Sequence, residues 1–483
     1  MKHLLLAAAA CLALAACNSG SEAPHSRIAL ETCRLQGLDI AARCGKYEVW
    51  EDRDKKSGRR IKLNIAVLPA RISSRDPDPV FVFAGGPGQG AVSLAGQVQG
   101  IFARLNETRD VVLIDQRGTG GSHPLNCGDE SQPLQAMFED ALPERLVQRC
   151  LEHIDADPRL YLTSIAVEDF DEVRDALGYG RINLWGASYG TRMALEYLRR
   201  HGDRVRSVVL DGVAPSTMKL PLSFVADGEA ALGKLIDACA ADDRCRASYP
   251  DLRATIDSMK GRLARAPERA EIQDPRTGER ENIRVNEDVF LTGLFRPLYV
   301  AELASLLPYG VAEASQGDFN PLLAQNLELV DSVSENLAVG LHLSVICAED
   351  VPLITPEDLD RVSSSFFGTA LVNDFIRACR MWPQGKVPAD YYEPVRSDVP
   401  VMILSGGIDP ATPPRYGEMA AATLPNARLF VAPNLGHGVS LHGCAPRLIE
   451  SFVRAGSAAS LDGKCLEKMP RPLFLLPVGR SHD

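Results

Sequence analysis

The sequence predicts an α/β fold: a mostly parallel sheet with an antiparallel start and a large, mainly helical insertion before its last strands. Three observations predict it. Short apolar runs, Pro79–Phe83, Asp110–Asp115, Ile182–Leu184, Val205–Asp211, Val401–Leu404 and Ala427–Val431, each stop at a loop rich in Gly, Asp or Asn, as buried parallel strands do. Helical spacing separates several of them. The long stretch between Asp211 and Val399 has little strand character, and its apolar residues recur at three- and four-residue steps.

Taken in order, Met1–Ala16 has a basic Lys2 and an apolar run, Leu4–Ala16, too short to span a bilayer as a mature helix. It reads as an export signal. Its end, Leu14-Ala15-Ala16-Cys17, resembles a bacterial lipobox, which makes Cys17 the expected lipidated first residue, followed by a small polar tether. Tyr47–Glu51 and Arg60–Leu68 flank a charged, Gly-containing turn and read as the antiparallel start of the sheet. Pro79–Phe83 runs into Ala84-Gly85-Gly86-Pro87-Gly88-Gln89-Gly90. So many glycines permit close backbone approach, and with no G-K-[ST] following, the loop is read as one side of an oxyanion hole rather than a phosphate cradle. Asp110–Asp115 leads to Gln116-Arg117-Gly118, where the acid and base are read as a loop brace.

Val167, Phe170, Val173 and Leu177 form an amphipathic helix leading to Arg181-Ile182-Asn183-Leu184-Trp185, then Gly186-Ala187-Ser188-Tyr189-Gly190, then a helix carrying Met193, Ala194, Leu195, Tyr197 and Leu198. Strand, G-x-S-x-G and helix together are the nucleophile-elbow pattern, with a strained Ser188 at the turn. A serine needs a base and an orienting acid. Asp409 follows the strand Val401–Leu404, and His437 stands between glycines after Ala427–Val431. The order Ser188, Asp409, His437 is that of an α/β-hydrolase. Asp211, at the end of Val205–Asp211, is the rival acid.

The expected organisation is residues 1–16 signal, 17–42 tether and N-terminal segment, 43–215 first part of the core, 216–395 helical cap and 396–483 second part of the core, ending in a Pro-rich tail from Pro470. A net charge of −11 with no basic block argues against nucleic acid. Of twelve cysteines, ten remain after Cys11 and Cys17 are set aside. In an exported chain they read as disulfides, taken between neighbours: Cys33 with Cys44, Cys127 with Cys150, Cys239 with Cys245, Cys347 with Cys379, Cys444 with Cys465. There is no C-x-x-C or H-E-x-x-H, and neither a metal nor a cofactor is expected.

With Gly85-Gly86-Pro87-Gly88, Asp115-Gln116-Arg117-Gly118, the elbow, Leu210-Asp211-Gly212-Val213, Gly407–Asp409 and Gly436-His437-Gly438 in this order, the chain resembles exported serine aminopeptidases of the tripeptidyl-aminopeptidase and prolyl-iminopeptidase type, from about Arg43 to about Cys465. The resemblance implies Ser188 as nucleophile, Asp409 as acid, His437 as base, and Gly86 and Tyr189 as oxyanion donors. One departure is Ala84, where prolyl iminopeptidases have His, which argues against strict proline specificity. The expected protein is a lipid-anchored exopeptidase of the bacterial envelope, releasing one to three residues from the free N-terminus of peptides through an acyl-enzyme. An esterase or lipase with the same triad and a catalytically dead binding module are the rivals. A buried substrate ammonium needs an opposite charge, and the expected anchors are the acidic pair Glu349 and Asp350 beside Cys347.

Overall fold

The computed structural model describes residues 27–127, 134–139, 142–274, 277–334 (backbone only over 328–334) and 337–477. The signal Met1–Ala16, Cys17 and the tether to Ser26 lie outside the described residues. Eleven strands are described: β1 (Glu31–Cys33), β2 (Ala42–Trp50), β3 (Arg60–Leu68), β4 (Val80–Phe83), β5 (Val111–Ile114), β6 (Ile182–Ala187), β7 (Val205–Asp211), β8 (Glu268–Gln273), β9 (Arg280–Val285), β10 (Val401–Gly406) and β11 (Ala427–Ala432). Nine form one sheet in the order β1-β2-β3-β5-β4-β6-β7-β10-β11. β1, β2, β3 and β5 pair antiparallel in succession, and everything from β5 to β11 is parallel. This is an α/β-hydrolase fold.

The apolar strands are buried on both faces, and their period of two sorts side chains between two cores. Phe81 and Phe83 join Leu184, Phe170 and Tyr197 on one side, with Phe83 stacked on Phe170 at 4.8 Å. Val80 and Val82 face Trp185, Phe102 and Phe452 on the other. Each fully buried Phe contributes about 1.5–3 kcal/mol, so this double layer fixes the central strands on whose ends the site is built.

β1 was not expected from the sequence. It is three residues long and is held to β2 by register and by the Cys33–Cys44 disulfide. All five disulfides join the neighbours expected.

The insertion after β7 is mainly helical, as expected, with helices Leu222–Ala241, Leu252–Arg265, Glu287–Phe295, Leu307–Ser315 and Asn320–Ser334 around a core of their own. Two features differ from expectation. The β8–β9 hairpin stands inside it; Ala270, Ile272, Ile283 and Val285 alternate inward, but their strands are short and dominated by charge, which masks the period. The helices Val339–Glu349 and Ala370–Met381 pack into the hydrolase core through Leu341, Leu343, Val345, Phe375 and Ala378. The C-terminal tail lies along the insertion: Leu475 N–H donates to Ser305 C=O at 3.3 Å and its carbonyl accepts from Tyr249 Oη at 2.8 Å.

Candidate active site

Ser188 sits between β6 and the helix Tyr189–His201 at φ 55° and ψ −127°. A non-glycine residue there is strained by about 1–3 kcal/mol and persists only when its surroundings over-determine it. Here the Ser188 N–H donates to the Asp211 carbonyl on β7 at 2.9 Å, while Thr191 donates its N–H and hydroxyl back to the Ser188 carbonyl. A Cβ on Gly186 would stand 2.3 Å from the Gly190 carbonyl oxygen, and one on Gly190 would stand 2.0 Å from that of Phe83. Both glycines of the motif are therefore steric requirements of the turn.

His437 Nδ1 lies 2.9 Å from Asp409 Oδ2. The other carboxylate oxygen accepts from Ala411 N–H at 2.8 Å and Thr412 N–H at 2.9 Å, and the Thr412 hydroxyl stands 2.8 Å from Oδ2 and 3.0 Å from Nδ1. Burial pushes the Asp409 carboxyl up, but His437 and the loop N–H groups outweigh it and hold the group below the usual carboxylate range. For His437, burial acts downward; the Asp409 carboxylate reverses it and leaves the imidazole above its ordinary value of 6.5. Asp211, the rival acid, turns away: its oxygens accept from Val439 N–H (2.8 and 2.9 Å) and Ser440 N–H (2.7 Å). It shapes the loop that carries His437, and Asp409 is the acid that touches the ring. The ring lies beside the elbow, since a Cβ on Gly212, next to the residue that holds Ser188 N–H, would stand 3.4 Å from His437 Cε1.

The glycine loop approaches three things. A Cβ on Gly85 would lie 3.3 Å from Ser188 Cβ. A Cβ on Gly86 (φ 108°) would run into its own loop, 2.6 Å from Gly88 N, with Leu337 Cδ1 of the insertion at 3.2 Å; Gly88 (φ 118°) faces the insertion at the Ala338 carbonyl (2.9 Å), and Gly90 faces Asp115. The insertion grips this loop: Ala338 N–H donates to Gly88 C=O at 2.9 Å, Gln89 and Leu337 form a β-bridge, and His342 Nδ1 is 2.9 Å from the Pro87 carbonyl. Burial keeps the His342 imidazole below its ordinary value, so it is neutral near pH 7 with the proton on Nδ1. Tyr189, first residue of its helix, has a backbone N–H without an intrahelical acceptor. Sequence reasoning missed His342. Its only signal is a polar ring in the mostly apolar first half of a helix.

Glu349 and Asp350 are not at a cleft, and their expected role as ammonium anchors is corrected. Both side chains are at most 1% exposed. Asp350 takes a two-pronged contact from Arg192 (2.8 and 2.9 Å) and accepts Leu220 N–H. Glu349 accepts from Thr163 N–H and hydroxyl (2.8 Å each) and from Tyr391 Oη, with Arg192 Nη1 3.7 Å away. Burial raises Glu349 above its usual range against these donors. With every oxygen occupied and a cation already paired, neither acid has field to spare for a substrate. The chain continues to the elbow: Gln116 Nε2 donates to Tyr189 Oη (3.2 Å), and Tyr189 Oη meets Thr163 Oγ1 at 2.7 Å. Asp115 and Arg117 are the braces expected. Asp115 accepts from Asn64, Val92 N–H and Gly121 N–H, and the fully buried Arg117 clasps Asp169 at 2.6 and 2.8 Å.

A row of half-buried aromatics, also missed, leaves the imidazole for the insertion. Tyr299 C=O accepts His437 N–H at 2.7 Å and its ring lies 5.2 Å from the His437 ring; Phe295 follows at 5.7 Å, with Phe224 and Phe367 at 5.9 and 5.5 Å from Phe295. Among the described residues, no group of three or more His, Cys, Asp or Glu is placed to hold a metal ion.

Residues 78–248 match the family model described as alpha/beta hydrolase fold, and residues 364–465 the one described as TAP-like protein. The serine protease Hip1 of Mycobacterium tuberculosis is 24% identical over 469 residues, covering 88% of this chain and 87% of that protein. The tripeptidyl aminopeptidase of Streptomyces lividans is 27% identical over 221 residues, 42% of this chain and 41% of its own. The crystal structure of a proline iminopeptidase from Mycobacterium smegmatis is 16% identical, with a TM-score of 0.44 over 86% of this chain and 100% of that one.

Proposed function

We propose, from the premise that this chain is a serine hydrolase of the α/β-hydrolase fold, that it is an exopeptidase releasing short N-terminal pieces from peptides through an acyl-enzyme. The observation that carries the chemistry is the buried Asp409 on His437 Nδ1, beside a serine held at φ 55°. In this reading Asp409 fixes the tautomer that leaves Nε2 as acceptor, His437 removes the Ser188 proton, and Ser188 Oγ attacks the scissile carbonyl. The oxyanion is held by the N–H groups of Gly86 and Tyr189. His437 then returns the proton to the leaving amine, and water repeats the cycle to free the acyl piece. The likeness to a serine protease and to a tripeptidyl aminopeptidase supports a peptide substrate.

A second reading, an esterase with the same machinery, draws support from the aromatic row beside His437 and from the engagement of Glu349 and Asp350 elsewhere. Free and N-acetylated mono-, di- and tripeptide amide reporters, measured beside short-chain esters, separate the two. Preference for the free amines by about thirtyfold or more, the loss of one desolvated charge pair, is the expected result. Equal turnover of acetylated and free peptides removes the exopeptidase reading, and fast esters with poor amides install the esterase.

The five disulfides support folding in an oxidising compartment. We place the mature chain in the bacterial envelope on a lipid at Cys17. Mass spectrometry of the mature N-terminus tests this, and an unmodified Cys17 or an uncut leader refutes the anchor.

A further inference from the structure

One helix of the insertion, Val339–Glu349, touches both elements assigned to the oxyanion hole. At its start, Ala338 N–H and His342 Nδ1 hold the carbonyls of Gly88 and Pro87, each at 2.9 Å. These flank the glycine loop one and two residues beyond Gly86, whose positive φ leaves it dependent on outside contacts for its shape. At its end, about 16 Å away by helix rise, Glu349 accepts the hydrogen bond of the Thr163 hydroxyl, so the Tyr189 hydroxyl donates to Thr163 Oγ1. Tyr189 is thereby fixed through its side chain while its N–H begins the elbow helix.

The helix between these ends is held on several sides. Residues 343–350 are all buried, Ser344 bonds back to Gly340 and receives Trp382 Nε1 at 3.1 Å, and Cys347 is bonded to Cys379. A Cβ on Gly340 would meet the Leu125 carbonyl at 2.5 Å, and Gly340 N–H donates to that same oxygen. The brace is thus seated on the hydrolase core, where Leu341, Leu343 and Val345 pack.

We propose that this helix sets the spacing of the two oxyanion donors, with His342 and Glu349 as its positioning residues. Neither touches substrate; His342 acts through Pro87, and Glu349 acts through Thr163 and Tyr189. This rests on the oxyanion reading of Gly86 and Tyr189 given above. A donor displaced by a fraction of an ångström still binds a ground-state carbonyl but serves the developing oxyanion poorly, so the effect belongs to kcat.

The test uses His342→Phe, which keeps a ring against Phe375 (5.7 Å in the parent) and removes the donor, and His342→Asn, which keeps a donor near the Nδ1 position. The substrate is the best amide reporter of the panel above, and a peptidyl aldehyde of the same sequence, whose hemiacetal oxygen occupies the hole, reports transition-state affinity. His342→Phe is expected to lower kcat about 10- to 100-fold at unchanged KM and to weaken the aldehyde by a similar factor. His342→Asn should recover most of both. Glu349→Gln should show the same split and stands in if His342→Phe does not fold. The brace is overturned by kcat within twofold of the parent, by equal losses in the Phe and Asn variants, or by a kcat loss with unchanged aldehyde affinity. Ser188→Ala separates the two levels: activity surviving there overturns the catalytic reading, whereas an inactive Ser188→Ala beside a normal His342→Phe overturns only the brace.

Discussion

Replacing Arg192 by methionine tests the buried charge cluster behind the elbow. The side chain is 1% exposed, forks onto both oxygens of Asp350 at 2.8 and 2.9 Å and lies 3.7 Å from Glu349. Methionine fills a similar volume and leaves two carboxylates facing each other without a cation. Removing one partner of a buried ion pair costs about 3–5 kcal/mol, because the remaining charge is uncompensated. Unfolding entropy of about 2.1 cal/mol/K per residue gives a chain of this size roughly 1.0 kcal/mol/K, so Tm should fall about 3–5 °C. The pH dependence gives the sign. Burial already holds the Glu349 carboxyl above its usual range and Arg192 opposes that, so without Arg192 it stands higher still; its protonated form stabilises the fold at low pH, and that contribution is lost as pH rises. The Tm gap to the parent, read by differential scanning calorimetry at fixed scan rate, should be widest at pH 8 and narrow toward pH 5. Adding Asp350→Leu should recover part of the loss at pH 8, since an apolar replacement removes the stranded charge. A gap below 1 °C, or one unchanged between pH 8 and pH 5, refutes the reasoning.

Further outcomes follow from the same geometry. Asp409→Asn should lower kcat on the order of 10⁴-fold, while Asp211→Asn should mainly loosen the Val439–Ser440 turn and show as lost stability; stopped assays with paired Tm values decide, and the reverse pattern would exchange the two acids. The acid limb of kcat/KM should inflect above pH 6.5, because Asp409 raises His437 and only the neutral ring accepts the serine proton; a limb well below 6.5 contradicts the ion pair. Gly190→Ala puts a Cβ 2.0 Å from the Phe83 carbonyl oxygen, and the overpacking should cost at least about 1–3 kcal/mol and abolish labelling of Ser188 by a fluorophosphonate; full labelling would show that the turn gives way. Cys347→Ser with Cys379→Ser opens the longest of the five loops, 32 residues of separation, and should cost about 3–4 kcal/mol through the unfolded state, measurable as the denaturation midpoint under non-reducing conditions.

What the sequence determined by itself is what short-range chemistry writes into neighbouring residues. The central strands are legible because burial on both faces demands continuous apolar runs, as in Pro79–Phe83 and Val401–Leu404. The elbow is legible because the turn tolerates no Cβ at Gly186 or Gly190. The chain order of Ser188, Asp409 and His437 follows from the strands that carry them, and the disulfides join neighbours that local elements already hold close. The tertiary structure alone decided which charges are spent. Nothing local distinguishes Asp211 from Asp409, two acids at parallel strand ends; a single hydrogen bond to His437 Nδ1 does, and it spans 28 residues. Glu349 and Asp350 read as free acids until Arg192, 158 residues before Asp350, is packed against them. His342 has no motif, and its meaning arises from Pro87, 255 residues away in the chain. A carboxylate or imidazole is defined by its partners, and where those come from remote strands and helices, composition and spacing hold no record of them.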